Sequence, residues 1–346
     1  MIDFPFSLLF LPLAVAAGVG YVTIANVASA GARRAGRGAL LLAVWCSPLL
    51  TRGPGPAQLT LGLLVGFLGI RMVALGARWD KARRLPSSPR IALAIIMPEE
   101  LMVARPTHLP AVSAGLTVAR GVLGARVCVG LLIIGNRLRL WRISRLADDL
   151  LVFVEVAVGA AGIHDLIVGV AAVCRRQVLG LQERPQLSSS LTQFWGRRWN
   201  RLVQGNLDRA FFRPHARRRS FAKGTLLAFA ASGVMHVVAV LDAGSPAVTL
   251  GPASAVMGFF LLHAGLVLAE RAAGTAHRVQ RGRALAAARA RTLLLFALLS
   301  PLLLDPFASV ANVHGRSLGP VSPAAIAPRV ERQAAAQNFK DRPTVP

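Results

Sequence analysis

The chain has 346 residues, of which 54% are hydrophobic, 6% aromatic and only 16% charged, and its mean hydropathy is +0.54. Soluble domains carry about 25% charged residues and are less apolar, so a soluble enzyme and a long disordered chain are both excluded. Lys and Arg number 40 against 15 Asp and Glu, a formal charge of +25, yet these cations fall between apolar runs with little aromatic interleaving for base stacking. That pattern excludes nucleic acid as the partner and points to arginines that flank membrane spans and meet anionic lipid headgroups. Only Lys81, Lys223 and Lys340 are lysines. With abundant Ala, Gly and Pro, the arginine bias fits a GC-rich genome and a bacterial cytoplasmic membrane. Cys46, Cys128 and Cys174 are widely separated, without zinc or redox spacing.

The apolar runs predict an all-α, polytopic integral membrane protein of about eight spans, between seven and nine. Residues 4–28 read as a retained first helix, since no basic region precedes them. A basic turn with Arg33, Arg34 and Arg37 leads to a shorter run at 39–50, closed by Gly53-Pro54-Gly55-Pro56. A span is predicted at 59–75. Residues 91–103 are too short for a secure crossing and carry Glu99 and Glu100. Residues 109–135 are long enough but include Arg120 and Arg126, and residues 150–173 carry Glu155, His164 and Asp165. A polar segment at 175–223 precedes two strongly apolar runs, 224–241 and 248–269. A basic loop at 271–291 leads to a last span ending near Phe307. The membrane domain is therefore drawn at 1–308, and a disordered basic tail at 309–346. The arginine-rich links on both sides of 150–173 place opposing demands on the positive-inside rule.

Ionisable groups inside a bilayer cost about 2.5–3.5 kcal/mol at a helix centre, so those that persist tend to line cavities. His236 lies inside the run 224–241, which is roughly 27 Å long as a helix, with Ser232 one turn earlier on the same face. A lone histidine in such a helix is more often a hydrogen-bonded structural residue than a catalyst. The stretch before it, Ser190-Leu-Thr-Gln-Phe194-Trp195-Gly196-Arg197-Arg198-Trp199-Asn200, holds two of the five tryptophans around two arginines. Alone it reads as an interfacial amphipathic helix. Glu155, His164 and Asp165 could instead form a proton or ion relay, which would make the protein a proton-coupled transporter or lipid translocator. Asp148-Asp149 lacks the spacing of a paired aspartate metal motif, because position 152 is Val.

Taken together, the Phe-Trp-Gly-Arg-Arg-Trp-Asn string, Phe212-Arg213-Pro214 and Ser232-Gly233-Val-Met235-His236 resemble the signature of membrane-bound O-acyltransferases, with wax synthases the nearest branch. Phe259-Phe260-Leu-Leu-His263-Ala-Gly265 and Glu270 resemble a downstream stretch of that branch. The likeness covers about residues 188–270. It implies a helical bundle enclosing a reaction chamber, an acyl-CoA co-substrate, a long-chain alcohol or other hydroxyl acceptor, and no metal or prosthetic group. It further implies His236 as the catalytic residue and Asn200 as its partner. Trp195, Arg197, Arg198, Trp199, Ser232 and His263 are the expected substrate-binding residues, and Arg217-Arg218-Arg219 could contact the phosphates of coenzyme A. Two positions depart from the branch: Gln193 stands where an acidic residue is common, and Val237 where Glu is common.

Overall fold

The computed structural model describes residues 2–3, 10–24, 29–52, 55–80, 87–96, 105–106, 111–178, 180–216, 220–243, 250–275, 281–310 and 313. Its elements are helices α1 (Phe10–Thr23), α2 (Ala30–Cys46), α3 (Gly55–Trp79), α4 (Ser88–Ile96), α5 (Ala111–Leu138), α6 (Arg145–Val173), α7 (Arg201–Leu207), α8 (Phe221–Ala243), α9 (Leu250–Ala272), α10 (Gly282–Leu299) and α11 (Pro301–Val310). Two strand pairs of two residues each join Ile2–Asp3 to Thr51–Arg52 and Arg105–Pro106 to Arg176–Gln177. The protein is all-α and polytopic, as its composition requires.

The span count is lower than expected. Among the described residues five helices are long and apolar enough to cross a bilayer: Ala57–Trp79, Val112–Leu138, Arg145–Val173, Phe221–Ala243 and Leu250–Ala272. The pair α10–α11, bent by 45° at Ser300, makes a sixth if it counts as one crossing. The difference arises at the N-terminal end. There the described part of the first apolar run is the 14-residue α1, roughly 21 Å long against a hydrocarbon core of about 30 Å. The next run becomes α2, which begins at Ala30, ahead of the arginine cluster, and contains it. The 91–103 run supplies only α4, and Glu99 and Glu100 lie outside the described residues.

These short helices are held to α3 by polar contacts as well as apolar ones. Arg37 donates to Asp80 through both terminal nitrogens, at 2.7 and 2.5 Å, and through Nε to the Tyr21 carbonyl at 3.1 Å. The carboxylate beside it holds the guanidinium above its usual pKa, so this clasp between α2 and the end of α3 stays ionised. At the other extreme of the chain, Ser309 and Val310 complete α11 and are buried. Of the expected tail at 309–346, only Ser309, Val310 and Val313 are among the described residues.

α5 and α6 form a long antiparallel hairpin with many apolar side chains on its outer face, including Leu116, Leu123, Ile133, Leu150, Ile163 and Val170. That is the surface lipid covers. Arg120 on α5 pairs with Asp165 on α6 at 2.8–3.0 Å, so these two charges meet across the seam. The main core lies elsewhere, where Phe194, Val256, Phe259, Phe260, Phe296 and Val310 bury one another between the tryptophan-rich stretch, α9 and α10–α11.

α8 is fixed against α3 by close backbone approach. A Cβ on Gly62 would lie 2.7 Å from the Ala239 Cα, and one on Gly66 would lie 2.6 Å from the Met235 side chain. The two helices run antiparallel with Gly66 opposite the residue before His236. Small residues permit this contact in membranes, where packing rather than hydrophobic burial drives association. Gly62→Val should therefore force the helices apart, cost about 1–3 kcal/mol as an overpacked contact, and lower the thermal midpoint of the detergent-purified protein. An unchanged midpoint would show that the α3–α8 contact carries no strain on widening.

Candidate active site

The tryptophan-rich stretch is shaped by hydrogen bonds that its own residues supply. Ser190 caps a single helical turn, Leu191–Gln193, its hydroxyl accepting from the Gln193 amide at 3.0 Å. The Gln193 side-chain oxygen accepts from the Ser189 amide at 2.9 Å, a reciprocal arrangement akin to a capping box. An acidic side chain could accept that same bond, so the glutamine replaces it here without loss of shape.

The Glu270 carboxylate, near the end of α9, completes the turn from outside. It accepts from the Leu191 and Thr192 amides at 2.9 and 3.0 Å and from the Thr192 hydroxyl at 3.2 Å. An anion meeting the free amides of a helix start is a favourable pairing. Next to it, Arg271 lies over the Phe221 ring at 3.7 Å and joins the end of α9 to the start of α8.

The chain then widens into a π-helical turn, Phe194–Arg198, closed by the Trp199 amide on the Phe194 carbonyl at 2.9 Å. A second π turn spans Asp208–Phe212. Such turns are uncommon and often found at functional sites. The first turns its aromatic residues onto the core. Trp199 stacks on Phe194 at 5.6 Å with planes 12° apart, and Trp195 meets Phe229, Phe259, Phe260, His263 and Phe296 at 5.3–6.4 Å. Two backbone bonds, Glu183 to Arg198 and Arg201 to Leu181, brace the turn from its outer side.

His236 sits on α8, where its Nδ1 is 2.7 Å from the Ser232 carbonyl. A carbonyl only accepts, so Nδ1 carries the proton and Nε2 keeps a free lone pair. Its ring packs on Phe260 at 4.7 Å and Phe307 at 5.7 Å. The tryptophan-rich stretch and the histidine helix thus meet through Phe260, which both Trp195 and His236 contact.

The structure redistributes several expected roles. Ser232 acts through its backbone carbonyl. Asn200 is exposed and takes a left-handed φ of 40°, which asparagine tolerates better than most residues. Its side-chain oxygen accepts from the Val203 amide at 3.3 Å, capping α7. Among the described residues the hydrogen bond of Asn200 goes to its own helix start and that of His236 to the Ser232 carbonyl. Arg197 is exposed, while Arg198 donates to the Glu183 and Arg184 carbonyls at 3.0 and 3.2 Å. Arg217, Arg218 and Arg219 lie outside the described residues.

The Phe260 and Phe307 rings lie directly against His236, on the side where the resemblance implies a reaction chamber. A small cleft, no larger than a water molecule, lies along α3 and is lined by Arg71, Ala74, Leu75, Arg78, Asn206 and Arg209. Sequence reading passed over its two fully buried polar members. Arg71 donates to the Ala94 carbonyl at 2.7 Å and to the Asn206 side chain at 3.3 Å. The signal for Arg71 was present, since it is the one cation within an otherwise apolar run. Glu155, His164 and Asp165 do not converge. Asp165 pairs with Arg120, and His164 Nδ1 accepts from the Gln182 amide at 3.1 Å. Cys128 donates to the Glu155 carbonyl.

Two outcomes check these placements. Glu270→Ala removes three bonds to a charged acceptor and should cost about 2 kcal/mol, read as a lower thermal midpoint together with faster proteolysis near residues 187–200. Asn200→Asp keeps the cap and should leave stability nearly unchanged. Asn200→Ala loses the cap and strains the left-handed backbone, for about 2 kcal/mol in all.

Residues 181–262 match the model of the membrane bound O-acyl transferase family. Two curated relatives are similar over the same kind of length. A long-chain-alcohol O-fatty-acyltransferase of Simmondsia chinensis is 35% identical over 112 residues, 29% of this chain and 31% of that protein. A probable long-chain-alcohol O-fatty-acyltransferase 3 of Arabidopsis thaliana is 35% identical over 106 residues, 28% of this chain and 30% of that protein. The matched part thus spans less than a third of either relative. The matched family segment contains the braced π turn, Asn200 and His236. Over that segment the chain is similar to membrane-bound O-acyltransferases, and among them to proteins of the wax-synthase kind.

Proposed function

We propose that this protein is a membrane O-acyltransferase that moves the acyl group of an acyl-CoA onto a long-chain alcohol or another hydroxyl-bearing molecule, forming an ester. The observation that carries this reading is the contact of His236 Nδ1 with the Ser232 carbonyl at 2.7 Å, which assigns the tautomer. With Nδ1 committed to the Ser232 carbonyl, Nε2 is the acceptor, on a ring set among apolar and aromatic side chains. The names of the two relatives support the same class of substrates.

The chemistry needs one base and no covalent enzyme intermediate. The alcohol oxygen attacks the thioester carbonyl while its proton passes to His236 Nε2. As the carbon–sulfur bond breaks, the imidazolium returns that proton to the departing sulfur, giving the ester and the free thiol of coenzyme A. An apolar site keeps out water that would hydrolyse the thioester. It also holds the acyl chain at about 0.8 kcal/mol per buried CH₂. In this reading Asn200 is a positioning residue, since it fixes how the π turn enters α7 and so where Trp195 and Trp199 sit.

Purified protein given labelled acyl-CoA and a panel of alcohols should form ester. His236→Ala should lower kcat by at least about a hundredfold, as expected for a lost general base, with the thermal midpoint preserved. Ester formation at the wild-type rate in a folded His236→Ala variant would remove His236 from the chemistry. Asn200→Asp should retain most of the rate, because it keeps the cap. A loss there as deep as that of His236→Ala would return the Asn200 amide to a direct role.

A further inference from the structure

Two buried polar atoms within the aromatic core have no hydrogen-bond partner among the described residues, the Trp195 Nε1 and the His263 Nε2. Buried donors and acceptors are nearly always paired in folded proteins, so each exception asks for a reason. The rings that carry them are neighbours. Their ring centroids are 5.3 Å apart with planes at 78°, and one ring comes from the tryptophan-rich stretch while the other comes from α9.

Their hydrogen-bonding characters are opposite and fixed. An indole N–H can only donate. His263 is fully buried, and its Nδ1 lies 2.9 Å from the Phe259 carbonyl. The proton is therefore on Nδ1, and Nε2 presents only a lone pair. Around them stand Phe229, Phe259, Phe260 and Phe296, all within 6.4 Å of the Trp195 ring centre. The pair is thus one donor and one acceptor inside an apolar aromatic box.

A carbonyl or ether oxygen would answer the indole and leave the imidazole unmatched. An ammonium group would do the reverse. A hydroxyl accepts and donates at a single oxygen, and the carbon chain bearing it suits the surrounding rings. We infer that Trp195 and His263 together form a hydroxyl-recognition site, in which the alcohol acceptor receives a hydrogen bond from Trp195 Nε1 and gives one to His263 Nε2. The identity of that alcohol as an acyl acceptor rests on the acyltransferase reading, whereas the hydroxyl site itself does not. Phe260 contacts both Trp195 and His236, so this site and the proposed base share a wall.

The test uses the full chain in phosphatidylcholine nanodiscs, whose headgroups carry no hydroxyl, with ¹⁵N-labelled indole nitrogens. The Trp195 resonance is identified by its loss in Trp195→Phe. Adding 1-hexadecanol should move that resonance, and hexadecane should not. His263→Phe should abolish the shift, and His263→Gln, which keeps an acceptor near the Nε2 position, should retain part of it. In turnover, Trp195→Phe should raise KM for the alcohol about five- to tenfold, as one lost hydrogen bond does, without changing KM for acyl-CoA. Three results would overturn the inference: no movement at saturating alcohol, equal movement with hexadecane, or a resonance already hydrogen-bonded and indifferent to both, which means a bound water only. A shift without ester formation in the wild type would uphold the hydroxyl site and remove the acyltransferase reading. Ester formation without the shift would do the opposite.

Discussion

The site depends first on the Glu270 carboxylate. It takes two backbone amides and a hydroxyl from the start of the tryptophan-rich stretch, and so ties a loop-borne segment to a long membrane helix. Everything that follows in that segment inherits its position from this contact. The π turn can only present Phe194, Trp195 and Trp199 to the core because its first residues are held against α9, and α9 in turn carries Phe259, Phe260 and His263. A charged acceptor is suited to the task, since it satisfies several helix-start donors at once.

The second constraint is the close passage of α3 along α8. The glycines at 62 and 66 let the two backbones approach, and with one face of α8 spent on α3, His236 faces the aromatic side of the bundle. Its orientation then follows from a local bond to Ser232 and two ring contacts. The arrangement resembles a soluble protein's active site in one respect: the reactive side chain lies on a regular element, while its surroundings come from irregular backbone braced by side-chain caps.

Much of this was legible in the residues. Composition and run lengths gave the all-α membrane class, and the two motifs gave the segment that matters. The number of candidate spans among the described residues is smaller than the number of apolar runs because the described parts of the N-terminal runs are short helices packed around α3, and an apolar run measures hydrophobicity rather than crossing. The capping role of Asn200 was not legible, because spacing along the chain cannot reveal the left-handed backbone that places its side chain on the Val203 amide. Arg71 and Asn206 were missed for a related reason: their meaning lies in a contact between residues far apart in sequence. The pairing of Asp165 with Arg120 was within reach, since both lay in apolar runs that had to neutralise their charges.

The lengths of the helices have a consequence for the membrane itself. α5 and α6 contain 28 and 29 residues, whereas α8 and α9 contain 23 each. At 1.5 Å per residue the hairpin is roughly 8 Å longer than the helices bearing His236 and His263. Within one bilayer such a mismatch is absorbed by tilt, by protrusion of the ends or by local thickening. The turn of the hairpin, with Arg137, Arg139, Arg142 and Arg145, suits protrusion into the headgroup layer. Bilayer thickness therefore bears more strongly on the inclination of the hairpin than on the histidine-bearing helices.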